Sequence, residues 1–575
     1  MTNKGSPSLN PAPASLSWLK SYPKGVDWNA SFTPAPLYRL LDEAVARRGL
    51  QTCTIFLGKT LTYSNIGQHV DRAAAGLQKQ GVKKGTKVGL FLPNSPTFII
   101  YYYAILKAGG TVVNYNPLYT LEELTFQVND SETELMITLD LKILFDKVEA
   151  LIQSGVLKRA VVASFASLLP GPKSVLFKLF KAKELARPSA SAVRDQVILE
   201  SDLVAGGDTP VKVAIDPLKD IAVLQYTGGT TGTPKGAMLT HANIHTNVRQ
   251  VEAWAAPGLG QGDECMLGAL PFFHVFAMTV VMNFGIAKAA QIIIMPRFVL
   301  EDALKLIEKL RPTIMPGVPT LFNAFMNHPE IQTFDLSSLK FCLSGGAPLP
   351  LEVRNGFTKL TGCSLVEGYG LSEASPVVTC NPLQGDPRPG SIGQPLPGTL
   401  ISLRSIADPA IEVTGDEKGE VCIKGPQVMP GYWKKPEETR NQYTADGFLR
   451  TGDVAIQDQD GFFYIVDRIK DLIICSGYNV YPRRIEEAIY QFPGVEEVTV
   501  IGVADKYRGE APKAFVKMKS GSKATAEDIL KHLAVKLSKI ELPEEIEFRD
   551  TLPKTMIGKL SKKELKAEEK QRQSG

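Results

Sequence analysis

From residue 36 to about residue 345, short apolar runs alternate with segments whose apolar positions recur at helical spacing. Residues 36–81 read as a helix, two short strands and a second helix. The strands are Thr54-Ile-Phe-Leu57 and Thr60-Leu-Thr-Tyr63, joined through Gly58-Lys59. Lys87 to Leu92 reads as a buried strand, Pro96 to Ala108 as a helix, and Thr111 to Asn114 as the next strand. This alternation predicts α/β layers, with helices wound over the faces of sheets. Beyond residue 395 the pattern changes to short alternating strands with Gly turns, at Ile401 to Arg404, Gly419 to Lys424 and Gly461 to Val466. After Asp471 it changes again, to a small α+β module. Its expected elements are a helix at Arg484 to Gln491, strands at Val495 to Val503 and Ala514 to Lys519, and a helix at Ala526 to Lys539. The expected organisation is a loosely held arm (1–33), a large α/β domain (34–467) with a β-rich, barrel-like subdomain (395–467), and a small α+β domain (468–575). The last ten residues are nearly all charged or polar and are expected to fray.

Two uncharged stretches imitate membrane spans. Val88 to Leu106 is interrupted by Pro93, Asn94, Ser95 and Pro96. Met266 to Ala287 is long enough to span but contains Gly268, Pro271, His274, Asn283 and Gly285, so it reads as buried strand, turn and helix. Residues 165–195 break the α/β rhythm. There Lys173, Lys178, Lys181 and Lys183 are interleaved with Val175, Leu176, Phe177, Leu179 and Phe180. One reading is a surface helix packing its apolar side on its own domain. The other is a basic amphipathic segment resting on the inner face of an anionic membrane.

Composition narrows the class. With 575 residues the chain exceeds what one core supports, and 44% hydrophobic with 22% charged residues is ordinary for a globular protein. A net charge of +4, with cations dispersed and no aromatic–basic interleaving, argues against nucleic acid. Seven cysteines form no CxxC pair and only six histidines are present, so no metal cluster is expected and the thiols read as reduced, in a cytoplasmic protein. The start, Met1-Thr2-Asn3-Lys4-Gly5, has no apolar stretch behind it and does not read as a secretory signal.

The strongest chemical signal is Tyr226-Thr-Gly-Gly-Thr-Thr-Gly-Thr-Pro-Lys-Gly236, directly after the apolar run Ile221 to Leu224. Glycines and threonines present backbone N–H groups and hydroxyls to phosphate oxygens, and Lys235 adds a point cation. A Walker A loop needs Gly before the lysine and Ser/Thr after it. Here Pro234 and Gly236 occupy those places, which removes the support for a P-loop NTPase.

That loop resembles the phosphate-binding signature of the adenylate-forming superfamily, which includes acyl-CoA synthetases, luciferases and peptide-synthetase adenylation domains. Further signatures follow in the family's order over residues 35 to 565. Gly345-Gly346-Ala347-Pro348-Leu349 resembles the loop along the adenine, and Glu367-Gly368-Tyr369-Gly370-Leu371-Ser372-Glu373 the adenine and Mg²⁺ segment. Arg450-Thr451-Gly452-Asp453 resembles the ribose-binding turn, and Asp467-Arg468-Ile469-Lys470-Asp471 the ribose contact and hinge. Ser476-Gly477-Tyr478 resembles the thiol-tunnel loop, and Pro553 to Lys559 ends in what resembles the mobile catalytic lysine.

The resemblance implies nucleotide contacts from Thr227, Gly228, Gly229, Thr230, Thr231, Gly232, Thr233, Lys235, Gly345, Gly346, Ala347, Gly368, Tyr369, Gly370, Ser372, Asp453, Ile465, Arg468 and Lys470. It implies Ser476, Gly477 and Tyr478 on the coenzyme A side, Thr230 and Glu373 toward Mg²⁺, and Lys559, Glu373 and His274 as catalytic groups. It further implies that the C-terminal domain turns about Lys470 between two half-reactions. In the first a carboxylate and ATP give acyl-AMP and pyrophosphate; in the second the thiol of coenzyme A takes the acyl group. The residue types suit these tasks. Asp453 can accept hydrogen bonds from two hydroxyls, Glu373 is a hard oxygen donor, Arg468 is a fixed cationic fork, and Lys559 can stabilise developing charge.

Pro271 to Met282 resembles the family segment that borders the acyl pocket, and no Lys, Arg or Asp lies between Glu264 and Lys288. Val112 to Thr120, followed by Glu122-Glu123-Leu124, resembles bacterial long-chain fatty acid–CoA ligases. Together these imply a medium-to-long fatty acid as substrate. Dicarboxylic or aryl acids, and delivery to a carrier protein, stay open as alternatives, as does a homodimer. A lipid-binding protein that only holds nucleotide would not need Lys559.

Overall fold

The computed structural model describes residues 16–227, 234–259, 263–384, 388–555 and 558–574. Four sheets carry the described strands. In the seven-stranded sheet, the strands Lys87–Leu90, Thr111–Asn114, Leu135–Leu139, Arg159–Ala163, Val197–Leu199 and Ile221–Thr227 run parallel, and Lys235–Thr240 closes one edge antiparallel. In the nine-stranded sheet a parallel centre holds Cys265–Gly268, Gln291–Ile294, Ile314–Gly317, Phe341–Ser344 and Ser364–Gly370. Helices such as Tyr63–Lys79 and Pro96–Lys107 pack between these layers. The latter is buried along nearly its whole length, which is why its sequence carries no polar stripe. The expected α/β layers are therefore present.

Both span-like stretches are interior. Met266 to Ala287 becomes a strand, a turn, the π-helix Ala277–Asn283 and the short helix Phe284–Ala287. Asn283 keeps its amide satisfied inside the protein, accepting from the Tyr103 hydroxyl at 2.7 Å and donating to Tyr102 at 3.2 Å. No helix among the described residues is long and apolar enough to cross a membrane.

Three expectations are corrected. The stretch expected to be barrel-like forms a five-stranded antiparallel sheet whose edge strands, Glu412–Val413 and Phe463–Arg468, do not pair with each other among the described residues, while Phe463 bridges outward to Gly393. The arm is not loose from residue 16 onward. Trp18 and Trp28 are buried, Gln394 holds the Trp18 carbonyl, and the Trp18 backbone lies where a Cβ on Gly461 would come within 2.3 Å. The arm can settle there because position 461 is glycine with φ +80°. The tail is not frayed either. Lys562–Ser574 is a helix whose Leu565 is buried, and Glu569 pairs with the buried Lys513 at 3.0 Å. Glu568 meets Arg549 at 2.7 Å and Arg572 meets Glu547 at 2.8 Å, so the charges of this tail are cross-links.

The helix Gly171–Phe180 departs from the first of its two readings. It has no buried residue, and its half-buried Phe177 places its ring 5.0 Å from that of Phe165. Leu179 and Phe180 are 69% and 79% exposed, and Val175 and Leu176 are also in the open.

Candidate active site

Parallel strands deliver their following loops to one edge of a sheet, and crevices there bind ligands. Thr227 ends its strand with its Cα opposite Lys235. Gly228, Gly229, Thr230, Thr231, Gly232 and Thr233 lie outside the described residues. Gly345 and Gly346 follow the strand Phe341–Ser344, while Gly368, Tyr369 and Gly370 end Ser364–Gly370. With Asp453 and Arg468 of the five-stranded sheet, these ends line one cavity of about 590 Å³.

On the five-stranded side the groups are held tightly. Tyr369 donates its hydroxyl to Asp453 Oδ2 at 2.6 Å, and Arg468 Nε donates to Oδ1 at 2.8 Å. The carboxylate is thereby fixed, with further lone pairs on each oxygen for incoming hydroxyls. Burial and the Asp453 charge push the Tyr369 hydroxyl well above its usual range, so it stays a donor. The turn before Asp453 has its own brace. Glu420 is buried and accepts from Gly452 N at 3.0 Å and Arg450 Nε at 2.9 Å.

At the other end of the cavity stands Glu373. Its Oε1 accepts the Tyr432 hydroxyl at 2.8 Å, and its backbone carbonyl accepts from Met429 N at 2.8 Å. Among the described residues no group of three or more His, Cys, Asp or Glu could hold a metal by itself. One carboxylate on a cavity wall fits Mg²⁺ only if substrate phosphate supplies further oxygens, which is the usual habit of this ion. Thr230, the other residue implied for the metal, is outside the described residues.

Lys559 arrives from the C-terminal module. It lines the same cavity, and a Cβ on Gly346 would stand 2.7 Å from its Cε. Gly346 also has φ +80°, so glycine there serves both the turn and the lysine's approach. Thr320 Oγ1 donates to the Gly558 carbonyl at 2.6 Å and fixes the loop that carries the lysine. Burial, and then the Arg468 guanidinium, lower the Lys559 ammonium to about 8, with Asp453 opposing. His274 lines the wall facing it. Burial, then Lys559, lowers its imidazole to about 3, and its Nδ1 accepts from Phe276 N at 3.3 Å. It is therefore a neutral polar group at neutral pH. Val275, Phe276, Leu343 and Val377 add apolar wall beside it.

The structure thus gathers Thr227, His274, Gly345, Gly346, Gly368, Tyr369, Gly370, Ser372, Glu373, Asp453, Arg468, Lys470 and Lys559 around one cavity. Ala347, Ile465, Lys235, Ser476, Gly477 and Tyr478 do not line it. Ile465 instead gives its carbonyl to Arg483 Nη1 at 2.7 Å, and Lys235 stands over the Tyr432 ring at 5.2 Å. Tyr478 is exposed on the C-terminal module. Sequence reasoning passed over Glu420, Gln442 and Tyr432. An acid within the apolar strand Gly419–Lys424 was the available signal for Glu420; Gln442 and Tyr432 carried none.

A lysine from the last part of the chain, set into a nucleotide-sized cavity built by the first part, is the arrangement that comparison with known proteins bears on. The AMP-binding enzyme family matches residues 41–433, and its C-terminal domain matches residues 484–559. The chain belongs to the AMP-binding enzymes. It is 43% identical to a long-chain-fatty-acid--CoA ligase of Bacillus subtilis over 557 residues, 96% of this chain and 98% of that one. It is 38% identical over 559 residues to the enzyme of the same name from Escherichia coli O157:H7, again covering 96% and 98%. Among solved structures, ATP-bound MatB from Rhodopseudomonas palustris superposes with a TM-score of 0.80 at 28% identity, covering 93% of this chain and 99% of that one. The large α/β domain with several sheets and the small α+β C-terminal domain are the fold of this AMP-binding family.

Proposed function

We propose that this AMP-binding enzyme is a long-chain fatty acid–CoA ligase. It uses ATP to convert a fatty acid to an acyl-adenylate, then transfers the acyl group to coenzyme A. The observation that carries the reading is Lys559 inside a cavity that also presents Asp453, Arg468 and Glu373 and an apolar wall at Phe276. Near-full-length relatives named for the same activity support it.

In the first half-reaction a carboxylate oxygen bonds to the α-phosphorus, the α–β phosphoanhydride bond breaks, and pyrophosphate leaves. Lys559 places a cation against the charge that grows on these oxygens. Neutral His274 borders the acyl carboxylate without adding a competing charge. Asp453 and Arg468 fix the ribose. Bound Mg²⁺ would offset polyphosphate charge, with Glu373 as its carboxylate from this chain. In the second half-reaction the thiol loses its proton to solvent, its sulfur bonds to the acyl carbon, the acyl–phosphate C–O bond breaks, and AMP leaves. We assign Ser476, Gly477 and Tyr478 to that step, after the C-terminal domain turns about Lys470 and withdraws Lys559.

We also place an anionic membrane surface against the helix Gly171–Phe180. Val175, Leu176, Leu179 and Phe180 are exposed there, and Leu57 at the tip of the neighbouring hairpin is exposed beside them. Lys173 reaches the Leu57 carbonyl at 3.2 Å and joins the two, Lys178 and Lys183 supply cations, and Lys181 is paired with Glu184 at 2.6 Å. Apolar contact with a ring of lysines suits anionic lipid.

One assay tests both statements. Pyrophosphate release is measured over C2 to C18 monoacids, dicarboxylic acids and aromatic acids, followed by coenzyme A consumption. Long monoacids should lead, and a preference for benzoate or acetate overturns the substrate. A vesicle arm presents the acid in phosphatidylglycerol or phosphatidylcholine. The anionic vesicles should sediment the wild type but not Leu179→Asp/Phe180→Asp, while activity on free acid is kept. Equal sedimentation of both proteins, or a patch that instead pairs two copies in solution, removes the membrane.

A further inference from the structure

The segment after the five-stranded sheet's central strand does more than connect elements. Met238 N donates to the Gly431 carbonyl at 3.0 Å, Trp433 N donates to the Gly236 carbonyl at 2.8 Å, and Tyr432 bridges to Ala237. Residues 431–433 are thereby laid as a short extra strand along Lys235–Thr240, the strand that leaves the Gly/Thr loop. Gly431 is needed for this fit, because a Cβ there would stand 2.5 Å from Thr439 Cγ2. The Thr439 hydroxyl in turn accepts from Tyr432 N at 2.9 Å.

This anchoring aims one buried side chain at two chemical groups. The Tyr432 hydroxyl donates to Glu373 Oε1, and the face of its ring lies 5.2 Å from Lys235 Nζ. The backbone of the same segment also holds Glu373, through Met429 N on its carbonyl. Lys235 starts a strand of the seven-stranded sheet, Glu373 lies in the short turn Ser372–Ala374 more than a hundred residues on, and Tyr432 touches both.

We propose that Tyr432 is a positioning residue of the phosphate end of the site: it sets the spacing between the Lys235 cation and the Glu373 carboxylate, and it directs the second carboxylate oxygen toward the bound polyphosphate and its divalent cation. The inference rests on the ligase reading. A carboxylate with one oxygen tied by a neutral donor has one orientation to offer, so an incoming cation meets it without first having to order it. The ring holds the Lys235 ammonium over its face, 5.2 Å from its centre, by a cation–π contact. The Tyr432 hydroxyl holds Glu373 as a neutral donor.

The two contacts can be separated. Tyr432→Phe keeps the ring under Lys235 and removes only the hydroxyl; Tyr432→Leu removes both. Calorimetry with ATP and a non-reactive acyl analogue, with and without Mg²⁺, reads binding directly. The Phe variant should bind metal-free ATP as the wild type does and bind MgATP about tenfold more weakly, the loss expected for a hydrogen bond to a charged group. The Leu variant should lose affinity in both conditions. In steady state the Phe variant should require about tenfold more Mg²⁺ for half-maximal pyrophosphate release, while thioester formation from supplied acyl-AMP is unchanged. An unaltered Mg²⁺ requirement in the Phe variant overturns the proposal. So does an equal fall of both half-reactions with a lowered melting temperature, which is a packing defect. A wild type that releases no pyrophosphate with any acid fails the ligase reading instead, and that outcome is distinct.

Discussion

The two parts of the molecule that meet at the cavity are joined in different ways. One apolar cluster runs without interruption from Trp18 to Phe463, through both large sheets and into the five-stranded one. The C-terminal module has a separate core, from Ile473 to Ile546. Between them the seam is polar. Arg483 donates to the Ile465 carbonyl and, through its backbone N–H, to Asp467 at 2.9 Å. Asn323 donates to the Glu496 carbonyl at 2.9 Å, and Thr320 to that of Gly558 at 2.6 Å. Buried apolar area is lost only by unfolding, whereas hydrogen bonds of about 1 kcal/mol each can be exchanged for water. On the proposed reading, the groups assigned to the nucleotide therefore sit on the part with one continuous core, and Lys559 on the part held to it by polar contacts.

The largest effect that this contrast predicts is at Lys559. Lys559→Ala should reduce pyrophosphate release by about a thousandfold, the usual loss when one preorganised donor to developing charge is removed. Thioester formation from supplied acyl-AMP and coenzyme A should stay within about threefold of wild type, because the lysine serves the step at the α-phosphorus and is withdrawn before the thiol attacks the acyl carbon. Equal losses in both half-reactions would mean that the C-terminal module acts as one fixed piece, and the contrast would fall.

Second in size is a pH effect. A lysine whose ammonium is lowered to about 8 holds its proton below that pH and gives it up above. Adenylation measured as kcat/KM reports the free enzyme, so it should be level below pH 8 and fall roughly tenfold per unit above it. The thioester step should show no such limb. The linkage has the matching sign. Burying the ammonium costs free energy while it is charged in both arrangements, and that cost fades as pH rises from about 8 toward the ordinary lysine range. The free enzyme should then favour the lysine-in arrangement more strongly at high pH, which domain-distance measurements between labels read. Lys559→Arg should abolish the limb.

What could be read from the chain follows the same division. Loops that must be Gly-rich to let phosphate or a neighbouring backbone approach announce themselves locally, as at Gly345-Gly346, and so do strands with charge-free runs. Strand edges were less legible. Gly509–Met518 begins five residues before its expected start because its partner Val495–Asp505 continues to pair with it. Features set by distant partners were not legible at all. Nothing near Glu569 says that Lys513 lies buried opposite it, and nothing near Trp18 says that Gly461 leaves it room. Tyr432 looks like one more aromatic until Glu373 and Lys235 are seen on either side. The helix Gly171–Phe180 shows the limit from the opposite direction: its pattern allowed either packing or exposure, and among the described residues it is left exposed.

The smallest effect is the most direct probe of the seam. Thr320 belongs to the helix Pro319–Met326 of the large part, and its hydroxyl holds the carbonyl next to Lys559 across the boundary. Thr320→Val keeps the shape and removes the hydrogen bond. If the seam is held by exchangeable polar contacts, adenylation should fall by about fivefold, the worth of one such bond, and thioester formation should not fall. It should even rise slightly, since the same substitution releases the module for its other arrangement. An unchanged ratio of the two half-reactions would show that the lysine loop is held by contacts within its own module, such as the Thr555 hydroxyl on Lys559 N at 3.1 Å, and that the boundary adds nothing to its placement.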